Sequence, residues 1–287
     1  MLDIKTLERP KSPEEAVRVF AEAEGGGLYV AGGTIVMPAA SPNLNYLVDL
    51  TGTGLSYIRE ASGEAGREIA IGAMTRVAEL ATDPLIGGAA GGLLRHAALA
   101  VATHTVRNRA TVGGNLIVAG FPTDLPTALL ALDASVVVQD AEGRRLVELE
   151  AFYERRSEVF RKGDLVVEIR VPLLDTRPSG AFEKIGRKRV DVAVVNCAVR
   201  LERSGARKRS ARVALGGIGP SPVRLRSAEA ILDGGGAGPG VFAEAAGLAA
   251  AELDPRSDHR ASGDYRRKVA AVLVRRALKR AVGLDWE

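Results

Sequence analysis

Two glycine turns constrain this chain more than any other feature. Ala31-Gly32-Gly33-Thr34 and Ala110-Thr111-Val112-Gly113-Gly114-Asn115 lie some eighty residues apart, each after an extended apolar or β-branched stretch. Glycine accepts φ > 0 and leaves backbone N–H groups with no side chain in the way. A single Gly-Gly after a strand is read as a turn and no more. Two such turns brought together by folding predict a site that holds a diphosphate from both sides, the chemistry of a dinucleotide site. The Gly-x-Gly-x-x-Gly spacing of a Rossmann fold is missing, and Pro38 close behind the first turn argues against a long helix aimed at phosphates. A Gly-Lys-Ser/Thr phosphate loop is also absent. The expected site is therefore built from loops rather than from one helix end.

Composition removes several alternatives. The 287 residues suit two domains or one large one. No apolar run is long enough to span a bilayer, and Met1-Leu2-Asp3-Ile4-Lys5 has no secretory pattern, so the cytoplasm and no membrane insertion are expected. A single cysteine, Cys197, cannot make an internal disulfide, a thiolate zinc site or an iron–sulfur cluster. It sits in the apolar run Val192–Val199, which reads as a buried strand. His96, His104 and His259 are scattered, so no metal site is expected. The net charge of +4 is mild. Its densest stretch, Arg203–Arg209, reads as a solvated hairpin tip, with no aromatic platform to suggest nucleic acid.

Local patterns give an α+β order. Pro10–Ala23 predicts a helix with Ser12 as N-cap, Pro13 at N1 and Glu15 completing a capping box. Leu28–Ala31 and Tyr46–Leu50 predict short strands, closing a small α/β unit. Strands are expected at Tyr57–Arg59, Glu68–Gly72, Ala134–Gln139, Arg144–Leu149 and Leu165–Val171. Helices are expected at Arg76–Ala81, with Thr75 as cap, at Gly91–Ala102 and at Leu125–Leu132. Pro172–Gly180 marks a domain boundary. Beyond it come three strands, Ala181–Ile185, Val192–Leu201 and Ala211–Leu215. A Gly/Pro segment, Gly216–Pro222, precedes helices at Ser227–Leu232, Val241–Glu252 and Tyr265–Val282, and Gly234–Gly240 is a loop between helices. The domains are thus 1–175, with subdomains about 1–55 and 56–175, and 176–287.

The second glycine turn is rich in polar groups. Arg107, Asn108, Thr111, Asn115 and Asp124 crowd an otherwise apolar region. Such side chains need partners, so they either pin a buried loop or face a ligand.

Here a resemblance enters. Val106–Leu116 resembles the second flavin motif of the FAD-binding medium subunit of molybdenum hydroxylases, the xanthine dehydrogenase, aldehyde oxidase and carbon monoxide dehydrogenase group. Ala31-Gly32-Gly33-Thr34 is similar to that family's first motif. Phe121–Pro126, Phe182–Arg187, Leu215–Arg224 and Asp258 with Tyr265-Arg266-Arg267 are similar to later segments, in the same order. The resemblance implies a PCMH-type FAD-binding domain of two α/β subdomains, followed by a C-terminal domain with a three-stranded antiparallel sheet and a helical bundle.

It also implies a site. FAD would lie across both turns: Ala31, Gly32, Gly33, Thr34 and Ile35 on one side, Val106, Arg107, Asn108, Thr111, Gly113, Gly114 and Asn115 on the other. Asp124 would accept hydrogen bonds from ribityl or nearby hydroxyls, and Lys184 would lie near the isoalloxazine carbonyl edge. No side chain is implied as catalytic, since the redox chemistry belongs to the cofactor. The resemblance implies an electron-transfer subunit, with an iron–sulfur small subunit and a molybdopterin large subunit as partners, assembled as a dimer of heterotrimers. A flavin-free assembly subunit and a stand-alone flavin oxidoreductase are the alternatives. Three departures bear on the flavin environment: Ile35-Val36 where the family often has Asp-Leu, a short segment before Asn45, and Phe121 before Pro122.

Overall fold

The computed structural model describes residues 4–23, 27–35, 44–63, 66–118, 122–176, 178–204, 208–234 and 238–283. The chain opens with β1 (Thr6–Glu8), the helix Pro13–Ala21, β2 (Leu28–Val30) and β3 (Tyr46–Asp49). These strands form a parallel sheet in the order β1-β3-β2. The helix starts as the sequence predicts: Ser12 Oγ accepts from Glu15 N at 3.1 Å. Glu15 reaches back one residue further than a capping box requires, accepting from Lys11 N at 2.7 Å. Ala16, Val17 and Val19 then pack on Val48 and Leu50, and on Leu165 and Val167 of the neighbouring sheet.

That neighbouring sheet has five antiparallel strands in the order β4-β5-β8-β6-β7. They are β4 (Ile58–Gly63), β5 (Gly66–Gly72), β6 (Ser135–Gln139), β7 (Arg144–Glu148) and β8 (Leu165–Pro172). Ile69, Ile71, Val136 and Ile169 face helices that include Leu93–Ala100 and Asp124–Ala131, forming the largest core. Two helix starts differ from expectation. Ala90, Gly91 and Gly92 all have positive φ, so the predicted Gly91 helix begins only at Leu93. Thr75 does not cap the helix Val77–Thr82; its hydroxyl is held between Tyr57 N and O, and Arg76 occupies the cap position.

The C-terminal sheet has four strands, not three: β9 (Ser179–Ile185), β10 (Val195–Ser204), β11 (Lys208–Gly216) and β12 (Val223–Arg224), all antiparallel. β12 is two residues long and follows the Gly/Pro segment, too short to carry an alternating pattern. The β10–β11 hairpin runs further than expected toward the basic tip, whose residues 205–207 lie outside the described ones. One sheet face is covered by the helices Arg226–Gly234, Pro239–Ala251 and Gly263–Ala281, with Cys197 buried among them and its thiol pushed up by burial. The other face presents Phe182, Ala198 and Ala214 to the large core.

An ionic joint closes that second face. Asp133, in the left-handed region at φ 52°, follows the helix Asp124–Ala131. Its carboxylate accepts from Arg200 at 2.7 Å, Arg212 at 2.9 Å and Arg224 at 2.7 Å. Burial pushes the Asp133 carboxyl up, but the three guanidiniums outweigh it and hold it below the usual carboxylate range.

Candidate flavin site

The two glycine motifs meet. A Cβ on Gly32 would lie 2.0 Å from the carbonyl oxygen of Arg109 and 3.0 Å from Ala110 Cα. Only glycine allows that approach, so the first loop packs directly on the chain entering the second motif. Gly33 has φ 69°, the left-handed conformation glycine adopts without strain. Together the motifs line a cleft of about 680 Å³, within the ~300–1,000 Å³ range of small-molecule sites.

The two walls differ in hydrogen bonding. Among the described residues, the N–H groups of Gly32, Gly33, Thr34 and Ile35 donate to no acceptor. The second motif is not a turn but the short helix Val112–Ile117, capped by Thr111. Its N–H groups are engaged: Val112 donates to Thr75 O at 2.9 Å, Gly113 to Ala73 O at 2.9 Å, Gly114 to Thr111 Oγ1 at 3.2 Å and Asn115 to Thr111 O at 3.0 Å. The expectation of a second row of open N–H donors is therefore corrected. This wall offers instead the Asn115 carboxamide, whose buried Oδ1 has no partner among the described residues.

A third wall was not foreseen. Phe160 to Val166 line the cleft beside Phe20, Leu28 and Tyr29. Tyr29 stacks on Phe20 with centroids 4.4 Å apart and donates to Gly163 O at 2.7 Å. Burial and the neighbouring Asp164 carboxylate push the Tyr29 phenol up, so it stays a donor at physiological pH. Asp164 in turn accepts from Arg161 N at 2.9 Å and Arg145 at 2.7 Å, fixing the turn. The Lys162-Gly163-Asp164 turn ahead of a strand was the available sequence signal.

Nine of the fourteen expected residues line this one cleft: Ala31 to Ile35, Thr111, Gly113, Gly114 and Asn115. Val106, Arg107, Asn108, Asp124 and Lys184 lie outside its lining among the described residues. Arg107 donates to Val101 O and Ala102 O, both at 2.9 Å, and Asn108 contacts His104 at 3.3 Å. Val106 packs against the large core. Lys184 donates to Asp124 Oδ2 at 2.7 Å and to Ala100 O at 2.8 Å. Burial pushes the Asp124 carboxyl up, opposed by Lys184 and Asn196. An ammonium has three donors and a carboxylate about four lone-pair sites, so each retains capacity for a ligand. Phe121 and residues 36–43, where the departures were noted, lie outside the described residues.

The comparisons agree with this geometry. Residues 3–174 match the family described as "FAD binding domain in molybdopterin dehydrogenase", and residues 180–281 match the "CO dehydrogenase flavoprotein C-terminal domain". The chain is 34% identical over 278 residues to the 6-hydroxypseudooxynicotine dehydrogenase complex subunit alpha of Paenarthrobacter nicotinovorans, covering 94% of this chain and 92% of that one. It is 33% identical over 281 residues to the carbon monoxide dehydrogenase medium chain of Hydrogenophaga pseudoflava, covering 95% of each. A solved chain of carbon monoxide dehydrogenase from Hydrogenophaga pseudoflava superposes with a TM-score of 0.88 at 32% identity, covering 98% of both. The chain belongs to the FAD-binding medium subunits of the molybdenum hydroxylase family. It is an oxidoreductase subunit whose cofactor is FAD. Among the described residues, no helix is long and apolar enough to cross a membrane, and none of the His, Cys, Asp and Glu side chains cluster as a metal site.

Proposed function

We propose that this chain is the electron relay of a heteromeric molybdenum hydroxylase, taking electrons from a partner iron–sulfur subunit through FAD to an external acceptor. One observation carries the reading: the cleft joins a loop of unengaged backbone donors to a buried, unpartnered carboxamide oxygen. The open N–H groups of Gly32 to Ile35 suit the diphosphate, and Asn115 accepts a hydrogen bond from the same ligand. Thr111, Gly113 and Gly114 shape the opposite wall. Lys184 and Asp124 form a buried ion pair whose unused valences suit the isoalloxazine carbonyl edge and the ribityl hydroxyls. FAD, when bound, supplies the exchange of one or two electrons; the chain's own residues bind it, orient it and exclude water.

Partner subunits follow from what this sequence lacks. Its one cysteine is buried in β10, so these 287 residues cannot ligate an iron–sulfur cluster, which favours a partner subunit as its carrier. The relatives named as medium chains and dehydrogenase subunits support the same reading. We assign domains 1–175 and 176–287, and assembly with an iron–sulfur and a molybdopterin subunit as a dimer of heterotrimers in the cytoplasm.

The test is to purify the chain alone and with the products of neighbouring genes, then identify any flavin released on denaturation by mass. Rapid mixing of the complex with a reducing substrate should bleach the iron–sulfur and flavin bands in turn. A complete complex without flavin, even after FAD is added, overturns the proposal.

A further inference from the structure

Two side chains of the C-terminal domain, Lys184 and Asn196, bond to Asp124, and Asn196 reaches further toward the cleft. Asn196, in β10, pairs in register with Lys184 of β9 and Gly216 of β11, so the three form a row across one sheet face. The helix Asp124–Ala131 lies against that face. Asn196 is fully buried in the run Val194-Val195-Asn196-Cys197-Ala198, where an amide has to find partners inside the protein. It finds three. Nδ2 donates to Asp124 Oδ1 at 2.9 Å and to Thr123 O at 3.3 Å, and Oδ1 accepts from Thr127 Oγ1 at 2.8 Å. Gly216 makes room: a Cβ there would lie 2.3 Å from Asn196 Oδ1 and 2.5 Å from Thr127 Oγ1.

The path continues into the cleft. Thr123, whose carbonyl Asn196 holds, donates its own hydroxyl to the carbonyl oxygen of Asn115 at 3.0 Å. Asn115 is the cleft residue with the unpartnered oxygen. On the other branch, Asn196 shares the Asp124 carboxylate with Lys184. We propose that Asn196 is a positioning residue of the flavin site. From the C-terminal domain it fixes Thr123, and through Thr123 the placement of Asn115, so that the second wall of the cleft is set by a residue outside the FAD-binding domain. The inference rests on FAD occupying the glycine cleft.

The experiment measures the rate of FAD release from the full chain, purified with its partner subunits, for Asn196→Ala, Thr123→Val and their combination. Asn196→Ala removes the hydrogen bond to Thr123 O together with those to Asp124 and Thr127, and cutting the path should speed release about tenfold. Because both substitutions break the same path, the double variant should release FAD no faster than the faster single one. Leu273→Ala, in the core on the sheet's other face, should lower the unfolding temperature while leaving FAD release unchanged below it. If Asn196→Ala fails to accumulate, Thr127→Val takes its place in the cycle. Unchanged release, additive effects of the two substitutions, or equal acceleration by Leu273→Ala each overturn the proposal. A wild-type complex that never holds FAD refutes instead the flavin reading on which it stands.

Discussion

The two glycine motifs look alike in sequence and do opposite work. In the first, Gly32 is required by a backbone contact, and among the described residues no acceptor takes the following N–H groups. In the second, the N–H groups of Val112 to Asn115 are all bonded to Thr75, Ala73 and Thr111. In the proposed flavin site, one motif offers main chain to the ligand, and the other is a strut that presents a side chain. A glycine pair therefore reports close approach or a special φ, and its hydrogen-bond partners decide which of the two it serves.

Four measurements would break or sharpen that contrast. The largest effect is expected for Gly32→Ala, whose Cβ cannot fit against Arg109 O without moving the loop. FAD affinity measured by equilibrium titration should fall at least ~100-fold, about 2.7 kcal/mol. Amide hydrogen exchange should separate the motifs next. The amides of Gly32 to Ile35 should exchange freely in flavin-free protein and slow by about 100-fold with FAD, while those of Val112 to Asn115 are protected in both states. Equal protection of both motifs without FAD would erase the contrast.

Asn115→Leu should act with opposite signs on two observables. It removes a buried acceptor with no partner, so the flavin-free protein should melt no lower than wild type, while FAD affinity drops about tenfold. The smallest effect belongs to Thr111→Val. Losing the cap hydroxyl should cost about 1 kcal/mol in chemical denaturation, with FAD affinity following only as far as the strut loosens.

Much of this was legible before any coordinates. The N-cap at Ser12 and the buried strand around Cys197 follow from local rules that the structure respects, and the family resemblance implied that the two distant glycine motifs share one cleft. What stayed hidden depends on residues far apart in the chain. Nothing near Gly113 announces that Ala73 O will take its N–H, because that acceptor arrives with β5. The cap assigned to Thr75 failed for the same reason: Tyr57, just before β4, claims its hydroxyl. Asn196 was visible as a lone amide in an apolar run, and the question of its partners would have pointed to an inter-domain contact.

The Asp133 joint has a consequence for how such subunits recombine. Arg200 and Arg224 are nearly inaccessible, with side chains 4% and 3% exposed, and their shared anion belongs to the other domain. A chimera that joins this C-terminal domain to a foreign FAD-binding domain without the matching acid would leave Arg200 and Arg224 with only Glu202 and Glu229, at about 3–5 kcal/mol for a broken buried pair. The seam between the domains is thus a poor crossover point, and the two halves should travel through descent as one inherited unit.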